Sequence, residues 1–67
     1  MTSVKYPDIK VHMIGEDGNA FSILARVIKE MRRFGLSKEQ IDEFHVTATS
    51  GDYDHLLQTV LSYVKVY

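Results

Sequence analysis

The 67 residues of this chain suffice for one domain at most, and a chain this short buries only about 60% of its unfolded surface. Its 45% hydrophobic and 25% charged residues are a globular composition, and the absence of cysteine excludes both a disulfide scaffold and a thiolate zinc site. Eight basic against nine acidic side chains give a net charge of -1, which excludes a general electrostatic attraction to nucleic acid.

Residues 1–8 read as a flexible N-terminal arm, closed by the turn-favouring pair Pro7-Asp8. The arm has no apolar region of the kind a signal peptide carries, and no run in the chain approaches the roughly 18 apolar residues of a membrane span. A cytoplasmic location with no membrane partner is the expectation, and residues 9–67 form the single domain. Ile9-Lys10-Val11-His12-Met13-Ile14 alternates apolar and polar residues until its end, which predicts a strand with Ile9, Val11 and Met13 on one face. Gly15-Glu16-Asp17-Gly18-Asn19 stops it as a loop.

Asn19 is suited to cap a helix from about Ala20 to Phe34, along which Phe21, Leu24, Val27 or Ile28, Met31 and Phe34 recur at helical steps. Arg26, Lys29, Arg32 and Arg33 fall mainly on the other side, and Gly35 supplies the left-handed residue that ends the helix. Ser37-Lys38-Glu39-Gln40 is a capping box, with Leu36 and Ile41 placed as a hydrophobic staple. The helix that follows buries Ile41, Phe44 and Ala48, weakens at Val46, Thr47 and Thr49, and stops at Ser50-Gly51. Asp52 caps a third helix from Tyr53 to Leu61 or Ser62, with an apolar stripe of Leu56, Leu57, Val60, Leu61 and Val64. Tyr63-Val64-Lys65-Val66-Tyr67 then alternates by two and predicts a short strand able to pair with residues 9–14. The fold class is therefore α+β: a β-α-α-α-β domain with three helices packed on a short two-stranded sheet, which needs that cover to be stable.

Two polar loops lead into helix starts, where free N–H groups and the dipole favour an anion. Gly18, Asn19, Ser50, Gly51, Asp52 and His55 are the candidate ligand-binding residues for a phosphate or carboxylate. The structural alternative is that Glu16, Asp17, Asp52 and Asp54 cap their own helices and the glycines only make turns. A phosphate-binding Gly-x-x-x-x-Gly-Lys-Ser/Thr spacing is absent. Asp52, Asp54 and His55 are of metal-ligating type, but the later ligands of a calcium loop are missing and His12, His45 and His55 have no i, i+4 relation, so no metal and no cofactor is expected. Catalysis is not expected either: the nucleophile-elbow and His-Glu-x-x-His motifs are absent, and so short a chain seldom builds a deep pocket alone.

Arg26, Lys29 and Arg33 share one side of the first helix and are candidates to meet phosphates or an acidic protein, against the plainer reading of a solvated face. Tyr63 and Tyr67 alternate with the two valines and are predicted to point outward, as a partner surface that a second copy or another protein would cover, against the plainer reading that the tyrosines pack on the N-terminal arm.

Ile14-Gly15-Glu16-Asp17-Gly18-Asn19-Ala20-Phe21 and Ser50-Gly51-Asp52-Tyr53-Asp54-His55-Leu56-Leu57-Gln58-Thr59 resemble the signature segments of a family of very short uncharacterised proteins of bacteria, bacteriophages and related mobile elements. The resemblance covers about residues 9–66 and carries no catalytic or binding residue. What it implies is context: a phage or mobile-element accessory protein in the host cytoplasm, of the kind that binds and modulates a host protein, including anti-defence inhibition or sequestration of nucleotide signals. The reading favoured by size and missing chemistry is a non-enzymatic interaction protein working as a small homo-oligomer. A nucleotide or anion binder using the two loop-helix junctions is the first alternative, and a nucleic-acid binder using the basic stripe is the second.

Overall fold

Every helix of this chain begins on a side chain that satisfies its first free N–H groups, and those caps set the architecture. The computed structural model describes residues 4–67. It runs β1 (Tyr6–Val11), α1 (Ala20–Phe34), α2 (Lys38–Ala48), α3 (Tyr53–Tyr63) and β2 (Val64–Val66). Asn19 Oδ1 accepts the Phe21 N–H at 2.8 Å to start α1. Gly35, at φ +101°, closes it: its own N–H bonds Arg32 and the Leu36 N–H bonds Met31, the paired bonds of a Schellman end. Two residues later the capping box forms, with Gln40 N–H on Ser37 Oγ at 3.2 Å and Ser37 N–H on Gln40 Oε1 at 2.8 Å. Asp52 accepts the His55 N–H at 2.9 Å and starts α3.

The two strands form a parallel sheet, with Tyr6 opposite Val64, Lys10 opposite Lys65 and Val11 opposite Val66. The register slips between Tyr6 and Lys10, where β1 carries the extra residues. Parallel pairing demands a long crossover, and all three helices supply it. Beyond β1 the Met13 and Ile14 N–H groups both bond the Tyr67 carbonyl, so the pairing continues past Val11.

The core lies between the helices and one face of the sheet. Ile9 and Val11 from β1, Ile23, Leu24, Val27 and Met31 from α1, Ile41, Phe44 and Ala48 from α2, and Leu56, Val60, Tyr63 and Val64 form one buried cluster. Thr59 is buried with its hydroxyl donated to the His55 carbonyl at 2.8 Å, so it enters the core satisfied.

Four expectations are corrected. β1 starts at Tyr6, inside the expected arm, because the Lys5 N–H bonds the Ser62 carbonyl and Pro7 is tolerated at an edge position; residues 1–3 of that arm lie outside the described residues. Phe21 and Phe34 lie outside the core, 82% and 53% exposed, and Ile23 takes the inward place. On α3, Leu61 is half exposed while Thr59 and Tyr63 are buried, because the helix runs through Tyr63 and keeps its helical phase to that residue. Tyr63 therefore does not point outward: it is 8% exposed, its ring set edge-on to Phe44 at 5.2 Å between centroids. Among the described residues no helix is long and apolar enough to cross a membrane.

Candidate functional site

The two polar loops, 35 residues apart in sequence, meet in space. The Tyr53 hydroxyl at the first position of α3 donates to the Gly18 carbonyl, joining the loop before α1 to the loop before α3. Each loop is also knitted to its own helix. Asp17 accepts the Asn19 N–H at 2.9 Å and the Ser22 hydroxyl at 3.3 Å. Arg26 reaches back from α1, donating to the Asp17 carbonyl at 3.2 Å and lying 3.3 Å from the Glu16 carboxylate. On the other loop, Asp52 is committed to the His55 N–H.

Ser50 and His55 turn onto the end of α2. His55 Nε2 lies 2.8 Å from the Thr47 carbonyl and 3.0 Å from Ser50 Oγ, and the Ser50 hydroxyl donates to the same carbonyl at 2.8 Å. A carbonyl only accepts, so the bonding pattern assigns the proton of the imidazole to Nε2. That nitrogen is taken up in holding the end of α2.

Where the first turns of α1 and α3 converge on the end of α2, they leave a cleft of about 260 Å³. Its walls are mainly apolar: Phe21, Leu24, Ala48 and Leu56, with Gly51 and Tyr53 at the mouth. Phe21 stands at the lip, 82% exposed, and Tyr53 beside it is 46% exposed. Two large aromatic rings are left in water next to a concave apolar surface.

Of the six residues expected to hold a ligand, Gly51 and Asp52 line this cleft, and Gly18 adjoins it through Tyr53. Asn19 caps α1, while Ser50 and His55 serve the Thr47 carbonyl. The basic stripe is divided. Arg26 is tied to the 16–17 loop, Arg33 lies 3.7 Å from Glu30 on its own helix, and Lys29 is exposed. Of the two tyrosines expected to meet a partner, Tyr67 is 57% exposed and stacks on His12 at 5.1 Å between ring centroids. Tyr63 is held in the core, its hydroxyl 3.4 Å from Glu43.

Sequence reasoning missed Phe21 and Tyr53 as site residues. A signal was present for Phe21. Ala20, Val27 and Met31 mark the midline of the buried stripe, and at 100° per residue Phe21 falls roughly 100° from that line.

Glu43 belongs to a second cluster across the molecule. Lys5 Nζ lies 2.9 Å from Glu43 Oε1, with the Tyr63 and Tyr6 rings at 5.3 and 5.8 Å from the ammonium. The hydrogen bond to Glu43 raises the Lys5 pKa above its ordinary value, and the bond from Lys5 lowers that of Glu43. Among the described residues no three His, Asp or Glu side chains gather as a metal would require. No family model matches the chain, and no match to it is found among curated proteins or solved structures.

Proposed function

We propose that this chain is a non-enzymatic interaction protein that works by binding another protein. One observation carries the reading: Phe21 stands 82% exposed at the lip of an apolar cleft, beside a half-exposed Tyr53. Leaving such rings in water forgoes the burial of a large apolar side chain, which is worth about 1.5–3 kcal/mol, and aromatic anchors beside desolvated pockets dominate protein interfaces. The polar groups around the cleft are engaged within the chain, as capping and fastening groups are. The setting proposed from the GEDGNAF and SGDYDHLLQT segments is a phage or mobile-element accessory protein that modulates a host protein, with anti-defence action as one form of it.

The test is affinity capture from a bacterial host extract with the wild-type chain and with Phe21→Ser as bait. A partner that is retained by the wild type and lost with the variant, at unchanged circular dichroism, supports the reading. A strictly monomeric chain that retains no partner sinks it. The anion-binding alternative draws on the meeting of two helix starts at Tyr53 and Gly18. Four carboxylates already stand on those loops, so it has less support; a thermal-shift screen over nucleotides and inorganic phosphate checks it.

A further inference from the structure

The helices cover one face of the sheet and leave the other bare. Ile9, Val11 and Val64 point into the core, so strand alternation puts Lys10, His12, Lys65 and Tyr67 together on the outer face. All four are exposed. Lys10 stands directly opposite Lys65 in the pairing. The His12 and Tyr67 rings stack on each other, 5.1 Å between centroids with 18° between their planes. Each strand thus offers a cation and, two residues and about 6.6 Å further on, an aromatic ring on the same side.

Lys10, Lys65, Val66 and Tyr67 line a shallow groove of about 430 Å³, and no acidic side chain lines it. Asp8, the acid on this side of β1, lines the neighbouring groove with Glu30 and Arg33. Among the described residues neither Lys10 nor Lys65 has a carboxylate within ion-pair distance. The Tyr67 main-chain oxygen lies in the plane of the sheet, held by the Met13 and Ile14 N–H groups. Like charges set opposite each other on a strand pair are destabilising, and the fold supplies no countercharge for these two. Lysines do guard sheet edges against pairing with other chains. A stacked aromatic pair beside them works against such guarding, since it adds exposed apolar surface. The combination suits a ligand that brings both an anion and a flat π face. An acidic peptide would pair with the lysines and leave the rings unused. A duplex offers phosphates but keeps its bases stacked within itself. A single strand offers phosphates to the lysines and an unstacked base to the rings.

We infer that the bare face of the sheet binds a single-stranded nucleic acid, with Lys10 and Lys65 on its phosphates and a base stacked on the His12–Tyr67 pair. The site shares no residue with the apolar cleft, so it stands beside the protein-binding reading and does not depend on it. At a net charge of -1 the chain has no general pull on nucleic acid, so the contact is local and weak.

Fluorescence anisotropy of short labelled oligo-dT and oligo-U, each titrated with the full chain over a range of salt, tests it. The wild type is expected to bind at least one of them. The slope of log affinity on log salt is expected to be about -1.4, because each phosphate neutralised on a single strand contributes about -0.7. K10Q/K65Q is expected to lose that slope and most of the affinity. Tyr67→Ser is expected to weaken binding about fivefold or more and to keep the slope. The three substituted side chains are exposed, and circular dichroism verifies the fold. Phe21→Ser is expected to bind as the wild type does. Binding of neither strand at low salt and millimolar protein overturns the inference. So does a slope that K10Q/K65Q leaves in place, or an affinity that Tyr67→Ser leaves unchanged. A duplex of the same length that binds as tightly overturns it too. An oligoglutamate peptide that displaces the strand at equal concentration assigns the face to an acidic protein segment and equally overturns it. If no strand binds while a host protein is captured through Phe21, this inference fails and the interaction reading stands; strand binding without any captured protein is the reverse.

Discussion

Gly51 and Gly35 are glycines for opposite reasons. Gly35 sits at φ +101° with open space around the position a Cβ would take, so its constraint is conformational. At Gly51 a Cβ would lie 2.9 Å from both Cβ and Cγ of His55, so its constraint is space. Those atoms are the root of the histidine side chain, and turning the ring does not move them away. The ring is also fastened by Nε2 to the Thr47 carbonyl. Gly51→Ala is expected to cost about 1–3 kcal/mol by overpacking. His55→Ala alone loses a hydrogen bond worth about 1 kcal/mol, and the double variant loses less than the two singles together by at least about 0.5 kcal/mol. Gly35→Ala costs about 1–2 kcal/mol through backbone strain and shows no such coupling to His55. Urea titrations of the set measure all of these; alanine at 55 keeps the Cβ and removes only the ring, so strict additivity of Gly51→Ala with His55→Ala would remove the ring from the steric account. The loops were legible in the sequence from Gly, Asn and Asp, but this distinction was not, because crowding at a glycine depends on a neighbour's rotamer.

The Lys5–Glu43 pair gives a pH dependence whose sign is fixed by the two shifts. Glu43 is held below its ordinary pKa, so its contribution is complete above the unfolded value near 4.5 and fades as pH falls through the folded one. Lys5 is held above its ordinary 10.5, so its contribution is complete below that value and fades as pH rises through the folded one. Thermal melts of wild type and Lys5→Met are expected to differ by a constant small amount between about pH 5 and 10 and to converge outside that window. A gap that widens in acid contradicts the pairing.

At the scale of elements, the helices were legible nearly to their ends, while the strands were legible in their existence and pairing but not in their limits. Asn19, Ser37-x-x-Gln40, Asp52 and Gly35 act through bonds within four residues, so their positions in the chain carry the information. Each bond is found. Ser37→Ala is expected to cost about 1 kcal/mol and Gln40→Ala less, since the capping serine holds an N–H at the helix start while the glutamine returns one bond. A guanidinium titration of both variants checks the order. Strand limits depend on distant partners. Pro7 marks a break by local rules, yet β1 passes through it, because the Lys5 N–H finds the Ser62 carbonyl across the sheet. Tyr63 was placed outward by the alternation of Tyr63 to Tyr67, but that alternation is real only from Val64 on. One residue earlier the chain is still helical, and a helical phase points the ring at Phe44. The site followed the same division: the meeting of the two loops depends on Tyr53 reaching Gly18, a contact no local pattern encodes.

Taken as a whole, the molecule joins its first strand to its last, and that topology sets the order of folding. Its radius of gyration, 10.9 Å, is that of a compact chain of this length, about 10.9 Å. Pairing β1 with β2 closes a loop of about 50 residues, at an entropic cost of about 3.5 kcal/mol before any contact offsets it. The α2–α3 pair needs only the short 49–52 connection, and Phe44 lies ready to pack on Tyr63. Sheet pairing should therefore form after the folding barrier and helix packing before it. Val64 is 1% exposed in β2, and Val64→Ala removes about 2 kcal/mol from a total that for this length is about 3–10 kcal/mol. If β2 docks late, that loss falls on the unfolding rate, which rises about 30-fold while folding changes by less than about twofold. Ala48, 1% exposed at the end of α2, lies on the early side. Ala48→Gly costs about 1 kcal/mol and should slow folding about threefold. Stopped-flow chevrons of the two variants separate the cases. A Val64→Ala variant that folds tenfold slower and unfolds at the wild-type rate would mean that the ends of the chain meet first and the helices condense on them.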